Sequence, residues 1–466
     1  MRQKRIIPES RVPLIRKKIV YMNNKLNSLP RRDDFLRIEW GKLILMSIIV
    51  LTSMIPLLYI DTREPTSRLL LFKVLAKTGS LAGMVLFAWQ FLLGFRGVVS
   101  LVIKDLVWVV NFHKRLGQGA SILILLHPVF ITLYYLDKFD RNIIFVDLTE
   151  AFDWYVILGI IALVIVALIY LTSVPFRKYL TASKWFTFHL SSYCLLTLGF
   201  IHSFAIGMTI RETSLRIFWI ILTVVMAGFL GYRLLFRFGI FSSLYITNRV
   251  AAAARQVIDI SLRPEKKPVV PRMGQFIYIR RKAFQGAHAY TVSDFNHQTG
   301  ELAITAKAQG ITSTELQGVQ PGERIAIDGP YGVFTWHALL SDLPLVMIAG
   351  GIGITPFRRL IRLLERDRHR PAWLFYGCER AGDVVYRDKL DSCRHVKVVY
   401  VLNSEPEYPG EKGFITTSMM RKYLSGDFSG YEFLLCGPPG MITKLETSLA
   451  QAGVPPEQIH HELFSW

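Results

Sequence analysis

Cysteine and acidic residues are both scarce in this sequence. Its four cysteines are spread over 466 residues without the paired spacing of a zinc site, and no disulfide framework is indicated. Aspartate and glutamate number 35 against 55 lysines and arginines, which gives a formal charge of +20. A soluble protein this basic suggests a nucleic-acid binder, but such proteins lack several long uncharged apolar runs. The composition therefore argues against nucleic acid and favours a membrane surface as the acidic partner.

Long apolar runs are absent from the second half of the chain and are concentrated in the first. Six of them are long enough to cross about 30 Å of hydrocarbon. From about residue 240, short β-like runs alternate with glycine, proline and charged residues. The pattern predicts a six-helix transmembrane bundle followed by a soluble region of β and α/β structure. The predicted spans lie near residues 43–60, 70–94, 115–136, 154–172, 186–209 and 215–236.

The N-terminal arm lacks the short apolar core and cleavage site of a signal peptide. It is instead rich in lysine and arginine, as are the loops near 96–104 and 177–184, whereas the 137–153 loop is acidic. The positive-inside rule places the arm, the basic loops and the C-terminal half in the cytoplasm. We therefore expect an integral protein of an inner or plasma membrane, whose arm lies on anionic lipid headgroups.

Histidines stand at two depths in two of the predicted spans. His113 and His127 are fourteen residues apart in the third span, or about 21 Å along a helix, and His189 and His202 are thirteen apart in the fifth, or about 19–20 Å. One such histidine is often an ordinary buried polar residue, but four at matched depths indicate a function. Because neutral imidazole is a good axial ligand for haem iron, we predict two haems, between His113 and His189 and between His127 and His202.

Thirteen residues do not return an ideal helix to its starting face. At 100° per residue, fourteen residues end within about 40° of that face, but thirteen end about 140° away. Either the fifth span is therefore irregular or the two haems are rotated relative to each other. Gly199 is the candidate position for an irregularity, although a glycine in a membrane helix is more often a packing residue. Tyr193 and Phe200 lie between the two levels and are interpreted as core residues, with a place in an electron path as the alternative.

The soluble half carries short motifs suited to a flavin nucleotide. The strand end "HAYT" offers an aromatic ring and hydrogen-bonding groups, and "GPYG" offers small residues that allow backbone to approach phosphates. Each motif alone also fits an ordinary turn, but their order along the chain favours a flavin site. The candidate flavin residues are His288, Tyr290, Thr291, Lys307, Gly310, Thr314, Gly329 and Gly332.

The last part of the chain is predicted to bind a dinucleotide. "AGGIGITPF" is a glycine-rich turn between an apolar strand and an amphipathic helix, although it is not the GxGxxG fingerprint, and "CGPPGM" ends a later strand. Arg380 suits an adenosine 2′-phosphate, and an exposed arginine without that role is an equal alternative. The candidate dinucleotide residues are Gly350, Gly351, Gly353, Thr355, Pro356, Arg380, Cys436, Gly437 and Pro438.

Together these motifs resemble those of the ferric reductase and NADPH oxidase superfamily, over nearly the whole chain from about residue 43. The resemblance rests on the four histidines, on "HAYT" against the family's "HPFT", and on the two dinucleotide motifs. The family's proline is replaced by Ala289, which affects the local backbone. The resemblance implies a basic arm at 1–42, a six-span haem domain at 43–238, an antiparallel β-barrel FAD domain at 239–340 and an α/β NADPH domain at 341–466.

The resemblance also implies roles and a reaction. Trp466 is expected to cover the flavin where nicotinamide enters, beside Cys436, and these two residues are the catalytic candidates. Cytosolic NADPH would reduce FAD, and electrons would then pass through two b-type haems to an extracytoplasmic acceptor. Dioxygen giving superoxide is the leading acceptor, with a ferric chelate, or a partner protein or quinone, as alternatives. No obligate protein partner is expected. Because the sequence has no calcium-binding loop, the chain resembles the short bacterial members of the superfamily.

Overall fold

The computed structural model describes the backbone of residues 32–238, 240, 242–281 and 287–462. The chain divides into two compact units. Ile38–Leu235 forms one, and the region from Phe236 onward forms most of the other.

The first unit is helical. In the described part of the chain, six helical segments are long and apolar enough to cross a membrane, which confirms the predicted number of spans. A buried cluster that includes Leu81, Val85, Phe200 and Trp219 packs three of these segments together. The helices are α1 (Arg32–Met54), α2 (Ser67–Leu93), α3 (Arg96–Val102), α4 (Leu106–Phe139), α5 (Ala151–Ser173), α6 (Ala182–His189), α7 (Ser192–Ile206), α8 (Met208–Glu212) and α9 (Leu215–Arg237).

Helix α4 is longer than the predicted third span. It begins at Leu106, where the Asp105 carboxylate accepts a hydrogen bond of 3.0 Å from the Trp108 N–H and so caps the helix. The Lys42 ammonium lies 2.9 Å from the same carboxylate. The predicted start near residue 115 was wrong. The Asp105 cap begins the helix at Leu106, and the charged residues just before the apolar run lie inside the helix and do not end it. His113 consequently lies two turns inside α4.

The fifth span is irregular, as its thirteen-residue histidine spacing predicts. Helix α6 ends at His189 and α7 begins at Ser192. Between them the Ser191 N–H donates to the Phe188 carbonyl at 3.1 Å, which is the three-residue bonding of a 3₁₀ turn. Such a turn rotates about 20° more and rises about 0.5 Å more per residue than an α-helix. A few residues in this geometry reduce the angular mismatch and bring the rise towards that of the fourteen residues in α4.

Gly199 is not the site of this irregularity, so that prediction was wrong. It lies inside α7, where a Cβ atom would approach the Met84 sulfur to 3.0 Å. The glycine therefore serves close packing between α7 and α2, which is the ordinary role of a small residue in a membrane helix.

The second unit begins with a closed antiparallel barrel, whose strands are neighbours in the order β1-β2-β5-β4-β3-β6. Alternate apolar side chains fill its interior, among them Ile260, Leu262, Ile304 and Ile325. Two short helices, α10 (Ile311–Leu316) and α11 (Trp336–Leu340), follow β5 and β6. The strands are β1 (Ser243–Ala254), β2 (Val257–Pro264), β3 (Phe276–Arg280), β4 (His288–Phe295), β5 (Leu302–Lys307) and β6 (Arg324–Tyr331).

A parallel sheet follows, with strand order β10-β9-β8-β7-β11-β12. The chain moves outward from β7 in one direction and then returns to β11 on the other side of β7. This is the topological switch point at which parallel sheets bind ligands. The barrel and sheet confirm the predicted fold class. The elements are β7 (Leu345–Gly350), α12 (Phe357–Asp367), β8 (Ala372–Cys378), α13 (Arg387–Asp391), β9 (Val396–Leu402), β10 (Glu411–Lys412), α14 (Thr417–Met420), β11 (Glu432–Cys436), α15 (Pro439–Gln451) and β12 (Ile459–Glu462).

Candidate functional site

The four membrane histidines meet in the two pairs expected from the sequence. The ring centres of His113 and His189 are 6.2 Å apart, with an angle of 60° between the ring planes. Those of His127 and His202 are also 6.2 Å apart, with an angle of 78°. Among the described residues, no group of three or more histidine, cysteine or acidic side chains is placed to hold a metal ion. Each pair therefore offers two imidazoles and no third protein ligand.

The separation within each pair fits two imidazoles that face one iron atom. An imidazole nitrogen binds a metal at about 2.0–2.1 Å, and the ring centre lies about 1.1 Å behind that nitrogen. Two axial imidazoles therefore place their ring centres about 6.2–6.4 Å apart. With only two protein ligands, the remaining positions suit a planar group that supplies four nitrogens of its own, as haem does.

Backbone carbonyls orient both rings of the 127/202 pair. The His127 Nδ1 atom lies 3.2 Å from the Ala76 carbonyl oxygen, and the His202 Nδ1 atom lies 2.7 Å from the Tyr155 carbonyl oxygen. An Nδ1–H that donates to a carbonyl leaves Nε2 as the nitrogen with a free lone pair. Both imidazoles are thus oriented so that Nε2 is the nitrogen that can ligate a metal.

Glycines make room for the same pair. A Cβ atom on Gly159 would lie 2.7 Å from His202 Cε1, and one on Gly79 would lie 2.7 Å from the His127 backbone nitrogen. Both distances are well inside van der Waals contact. At the other level, a Cβ atom on Gly94 would lie 3.6 Å from His113 Cε1, which is ordinary contact. Glycines thus pack closely on the histidines themselves at the 127/202 pair, whereas the close glycine at the other level, Gly117, packs against Gln90.

The 113/189 pair is held differently. The His189 Nδ1 atom is buried and has no hydrogen-bond partner in the described part of the chain. Its ring is stacked on Trp185, with ring centres 4.9 Å apart, and the Arg177 guanidinium lies 5.0 Å from the centre of that indole. The Gln90 amide donates a 2.8 Å hydrogen bond to the His113 carbonyl oxygen, not to its ring. Packing, more than ring hydrogen bonding, positions these imidazoles.

The aromatic residues between the two levels belong to the helix packing. Phe200 is 6% exposed and lies in the buried cluster of the membrane unit. Tyr193 is in edge contact with Phe91 at 5.4 Å, and the Arg233 guanidinium lies 5.1 Å from its ring. These contacts match the interpretation of both as core residues.

A cation accompanies the 127/202 pair, and the sequence reasoning did not single it out. Lys77 directly follows Ala76, whose carbonyl orients His127, and it interacts electrostatically with that histidine. The neighbouring Lys73 is instead paired with Glu64 at 2.8 Å. A lysine within an apolar span was the available signal, since ionisable residues in membrane helices usually have a function.

In the barrel, Thr291 of "HAYT" has a buried hydroxyl with no hydrogen-bond partner among the described residues. Its strand neighbour Phe276 forms an aromatic cluster with Tyr278 and Tyr331, with ring centres 5.8–6.1 Å apart. Burial raises the pKa of Tyr290 to about 12, so its phenol stays neutral. An unsatisfied hydroxyl beside aromatic rings is what a site for a polar aromatic ligand shows before that ligand binds.

The other candidate flavin residues lie at strand and helix ends. His288 is exposed at the start of β4, Lys307 ends β5, and Gly310 and Thr314 lie at and within α10. Gly329 and Gly332 have φ of +133° and +97°, which favours glycine at both positions. A Cβ atom on Gly332 would lie 3.1 Å from the Phe276 ring, so this glycine also serves close packing.

At the switch point, two glycine-rich turns pack against each other. A Cβ atom on Gly353 would lie 2.2 Å from the Cys436 carbonyl oxygen, and one on Gly350 would lie 2.8 Å from Pro438. Both glycines are thus needed for contact between the turns after β7 and β11. Gly351 differs, because it has φ of +53° and open space where a Cβ atom would point. It is the glycine that leaves backbone accessible to a ligand.

The remaining motif residues complete these turns. Thr355 is buried and Pro356 directly precedes α12, while Gly437 packs against Gly350. Trp466 lies outside the described residues.

Beside these turns, Cys436 and Glu462 lie next to each other on β11 and β12. Burial and the neighbouring carboxyl of Glu462 raise the pKa of the Cys436 thiol well above its usual value, so the thiol stays protonated at neutral pH. Burial raises the pKa of Glu462 to about 8, and its Oε2 atom has no partner in the described part of the chain. The sequence reasoning missed Glu462, although a carboxyl within the short terminal strand was a usable signal.

Salt bridges join the barrel to the sheet domain. The Arg362 guanidinium forms two hydrogen bonds of 2.8 and 2.7 Å to the Asp294 carboxylate, and Arg358 lies 3.2 Å from Asp259. The barrel residue Val257 also shares a buried cluster with residues of the sheet domain. No local motif marks this network, because its partners are far apart in the sequence.

Comparison with known proteins assigns a family to each part. Residues 78–200 match the model of the ferric reductase like transmembrane component, 251–336 the oxidoreductase FAD-binding domain and 347–447 the oxidoreductase NAD-binding domain. An NADH-cytochrome b5 reductase 1 of Meyerozyma guilliermondii is 32% identical over 232 residues, which are 47% of this chain and 74% of the relative. One from Ajellomyces capsulatus is 30% identical over 179 residues, 35% of this chain and 57% of the relative.

The chain thus spans between about half and three quarters of the length of these relatives. Among solved structures, the cytochrome b5 reductase domain of Ulva prolifera nitrate reductase is 21% identical, with a TM-score of 0.41. The aligned region covers 48% of this chain and 97% of the Ulva domain. These relatives match between 35% and 48% of this chain.

Proposed function

This chain belongs to the ferric reductase/NADPH oxidase-like oxidoreductases, and we propose that it carries electrons from a reduced nicotinamide dinucleotide across a membrane to an acceptor on the far side. The cofactors would be FAD and two b-type haems. The observation that carries the proposal is the presence of two imidazole pairs, each with ring centres 6.2 Å apart. When bound, flavin accepts a hydride and releases single electrons, and haem iron exchanges single electrons.

In this proposal His113 and His189 hold one haem, and His127 and His202 hold the other. The backbone carbonyls of Ala76 and Tyr155 would keep the rings of the second pair aligned, with Nε2 directed to the iron. Two histidines on one iron leave no open position, so an acceptor would be reduced at the haem edge without binding to the metal. Loop charge supports a cytoplasmic location for the N-terminal arm and the dehydrogenase.

The dehydrogenase residues bind and orient their cofactors. The accessible backbone at Gly351 suits a pyrophosphate at the switch point. The Thr291 hydroxyl and the Tyr290 ring suit a flavin, and the protonated Cys436 thiol packs beside the nicotinamide position without acting as a nucleophile. Trp466 would cover the flavin until the nicotinamide displaces it.

Dioxygen, reduced by one electron to superoxide, is the proposed acceptor. Lys77 is consistent with this choice, because an ammonium group near the 127/202 pair would stabilise a small anion formed at the haem edge.

A ferric-chelate reductase is the alternative, and it needs an outward-facing polar dock. The acidic 137–153 loop is the candidate for such a dock. Two of its five carboxylates are paired with arginines, Asp137 with Arg68 and Asp153 with Arg141 at 2.7 Å. A partner protein or quinone remains the second alternative.

The acceptor is tested with the purified full chain, supplied with FAD, in detergent. Superoxide production predicts nucleotide oxidation in air together with cytochrome c reduction that superoxide dismutase abolishes. Activity only with ferric citrate under nitrogen would replace this proposal with the reductase, and activity only with a membrane extract would indicate a partner acceptor. A His202→Leu variant is the matched control, because it should lose acceptor reduction while its flavin is still reduced.

A further inference from the structure

The proposed function leaves the choice of nucleotide open, and the structure bears on it at the ends of β8 and β9. These parallel strands end side by side at Cys378 and Leu402, on the same edge of the sheet as Gly350. The following segments, 379–383 and 403–405, are held together by a 2.9 Å hydrogen bond from the Ser404 N–H to the Glu379 carbonyl. In parallel sheets this edge receives the adenosine ribose of a dinucleotide.

Arg380 lies in the first of these segments, and its surroundings are acidic. The two segments hold three carboxylates, on Glu379, Asp383 and Glu405, and one guanidinium, that of Arg380. A second cation, Arg255, lies 4.0 Å from the Asp383 carboxylate, which leaves Glu379 and Glu405 as the carboxylates without a cationic partner in the described part of the chain. Within the described residues, no ion pair or hydrogen bond holds that guanidinium in place, and the residue is exposed. An exposed guanidinium beside carboxylates is a poor receptor for a phosphate that carries up to two negative charges.

Glu405 is the carboxylate with a defined position. Its Oε1 atom accepts a 2.9 Å hydrogen bond from the Ala381 N–H, directly after Arg380, and the residue is half-buried. Because this bond uses one lone pair of one oxygen, the Oε2 atom is available as a second acceptor. An acidic side chain at this edge accepts a hydrogen bond from a ribose 2′-hydroxyl and repels a 2′-phosphate.

We propose that Glu405, at the end of β9, selects NADH over NADPH. The inference rests on the proposed function, and it revises the choice of NADPH that Arg380 and the family resemblance suggested. The carboxylate has two effects: it offers an acceptor to the 2′-hydroxyl of NADH, and it sets a like charge against the 2′-phosphate of NADPH. It also fixes the turn that bears Arg380, so the arginine does not move freely to meet a phosphate.

The test is anaerobic stopped-flow reduction of the flavin in the FAD-loaded full chain, with NADH and NADPH in parallel. The second-order rate constant for NADH should exceed that for NADPH by about 100-fold, as expected when like charges are set against each other. In Glu405→Gln the amide oxygen still accepts from the Ala381 N–H, but the charge is gone. This variant should lower the preference for NADH about tenfold, mainly through faster reduction by NADPH.

Glu407→Gln is the matched control, since Glu407 is exposed two residues further on and its change removes the same charge. It should alter the NADH/NADPH ratio by less than about threefold, as a screened surface charge does. A wild-type preference for NADPH, or an unchanged ratio in Glu405→Gln, would overturn the inference while leaving the proposed function intact. If neither nucleotide reduces the flavin, the proposed function fails and this inference fails with it.

Discussion

The two histidine levels have the same ring separation but reach it in different ways. At the 127/202 level, each ring nitrogen that faces away from its partner is bonded to a backbone carbonyl, and glycines fit closely around the residues. At the 113/189 level, the His189 Nδ1 atom has no partner among the described residues, and an indole stack supports the ring. The first level is preorganised by hydrogen bonds, and the second relies on packing.

The dehydrogenase unit shows a similar contrast between held and unheld polar groups. Glu405 is fixed by a backbone N–H, whereas the Thr291 hydroxyl and the Glu462 Oε2 atom are buried without partners in the described part of the chain. Burying an unsatisfied polar group has a cost in stability that a ligand can remove by supplying the missing hydrogen bond. The stability of the protein around the groups without a partner should therefore depend more on a lost neighbour or on pH than the stability around the hydrogen-bonded groups.

Ligand removal tests the contrast most strongly. His127→Gly and His113→Gly should each lower the haem content from two per chain to one. Imidazole added to the medium should restore the second haem in His127→Gly more completely than in His113→Gly, because His202 keeps its carbonyl bond and His189 has none. Pyridine haemochrome assays with and without imidazole measure this. Equal rescue in both variants would contradict the difference in preorganisation.

Gly159→Ala should remove most of the haem at the 127/202 level and leave the 113/189 level occupied. The added methyl group would lie 2.7 Å from His202 Cε1 and would force the ring away from its partner. Gly119→Ala is the control, since a Cβ atom there would meet nothing within 4 Å. Haem content and the ferrous visible spectrum distinguish the two variants. Full haem content in Gly159→Ala would show that the ring has more freedom than the close packing indicates.

Glu462 should make stability depend on pH. Burial raises its pKa in the folded state to about 8, above the 4.5 of an exposed glutamate. Its contribution to stability is therefore fully present below about pH 4.5 and is lost as the pH rises towards 8. The loss should be of the order of 4 kcal/mol. Thermal release of flavin fluorescence between pH 5 and 8.5 measures it. Glu462→Gln should remove most of this slope, while Glu457→Gln, at an exposed position, should keep it; equal slopes in all three proteins would contradict the prediction.

Trp185→Leu should have the smallest effect. Loss of the indole stack on His189 should speed haem dissociation from the 113/189 level about twofold to tenfold, without changing the 127/202 level. Transfer of haem to excess apomyoglobin follows both levels as separate phases. Trp154→Leu is the control, because that indole is exposed and bonded to the Leu148 carbonyl. If Trp185→Leu instead speeds haem transfer from the 127/202 level, the indole does not support the 113/189 level as proposed.

The membrane pairs were predictable because ionisable residues are rare in apolar spans, so four histidines stand out in the sequence. The irregular fifth span followed from the thirteen-residue spacing. Its position did not, because the turn at Ser191 is set by contacts and not by the nearest glycine. The start of α4 depended on an aspartate cap that the hydropathy pattern does not show.

In the dehydrogenase, the motifs located the two glycine turns but did not distinguish their roles. Gly350 and Gly353 serve packing between turns, and Gly351 leaves backbone open, a difference that only the folded structure reveals. The bonds from Arg362 to Asp294 and from Ala381 to Glu405 join residues that are distant in the sequence. Local patterns carry no information about such pairs, so the domain joint and the position of Glu405 beside Arg380 could not be predicted.

The most direct test of the two-level arrangement is the haem content of the purified full chain, measured by pyridine haemochrome against protein mass and followed by anaerobic reduction with NADH. The account predicts two b-type haems per chain, both reduced when FAD is present. One haem or none in the wild-type protein would contradict the pairing of His113 with His189 and of His127 with His202.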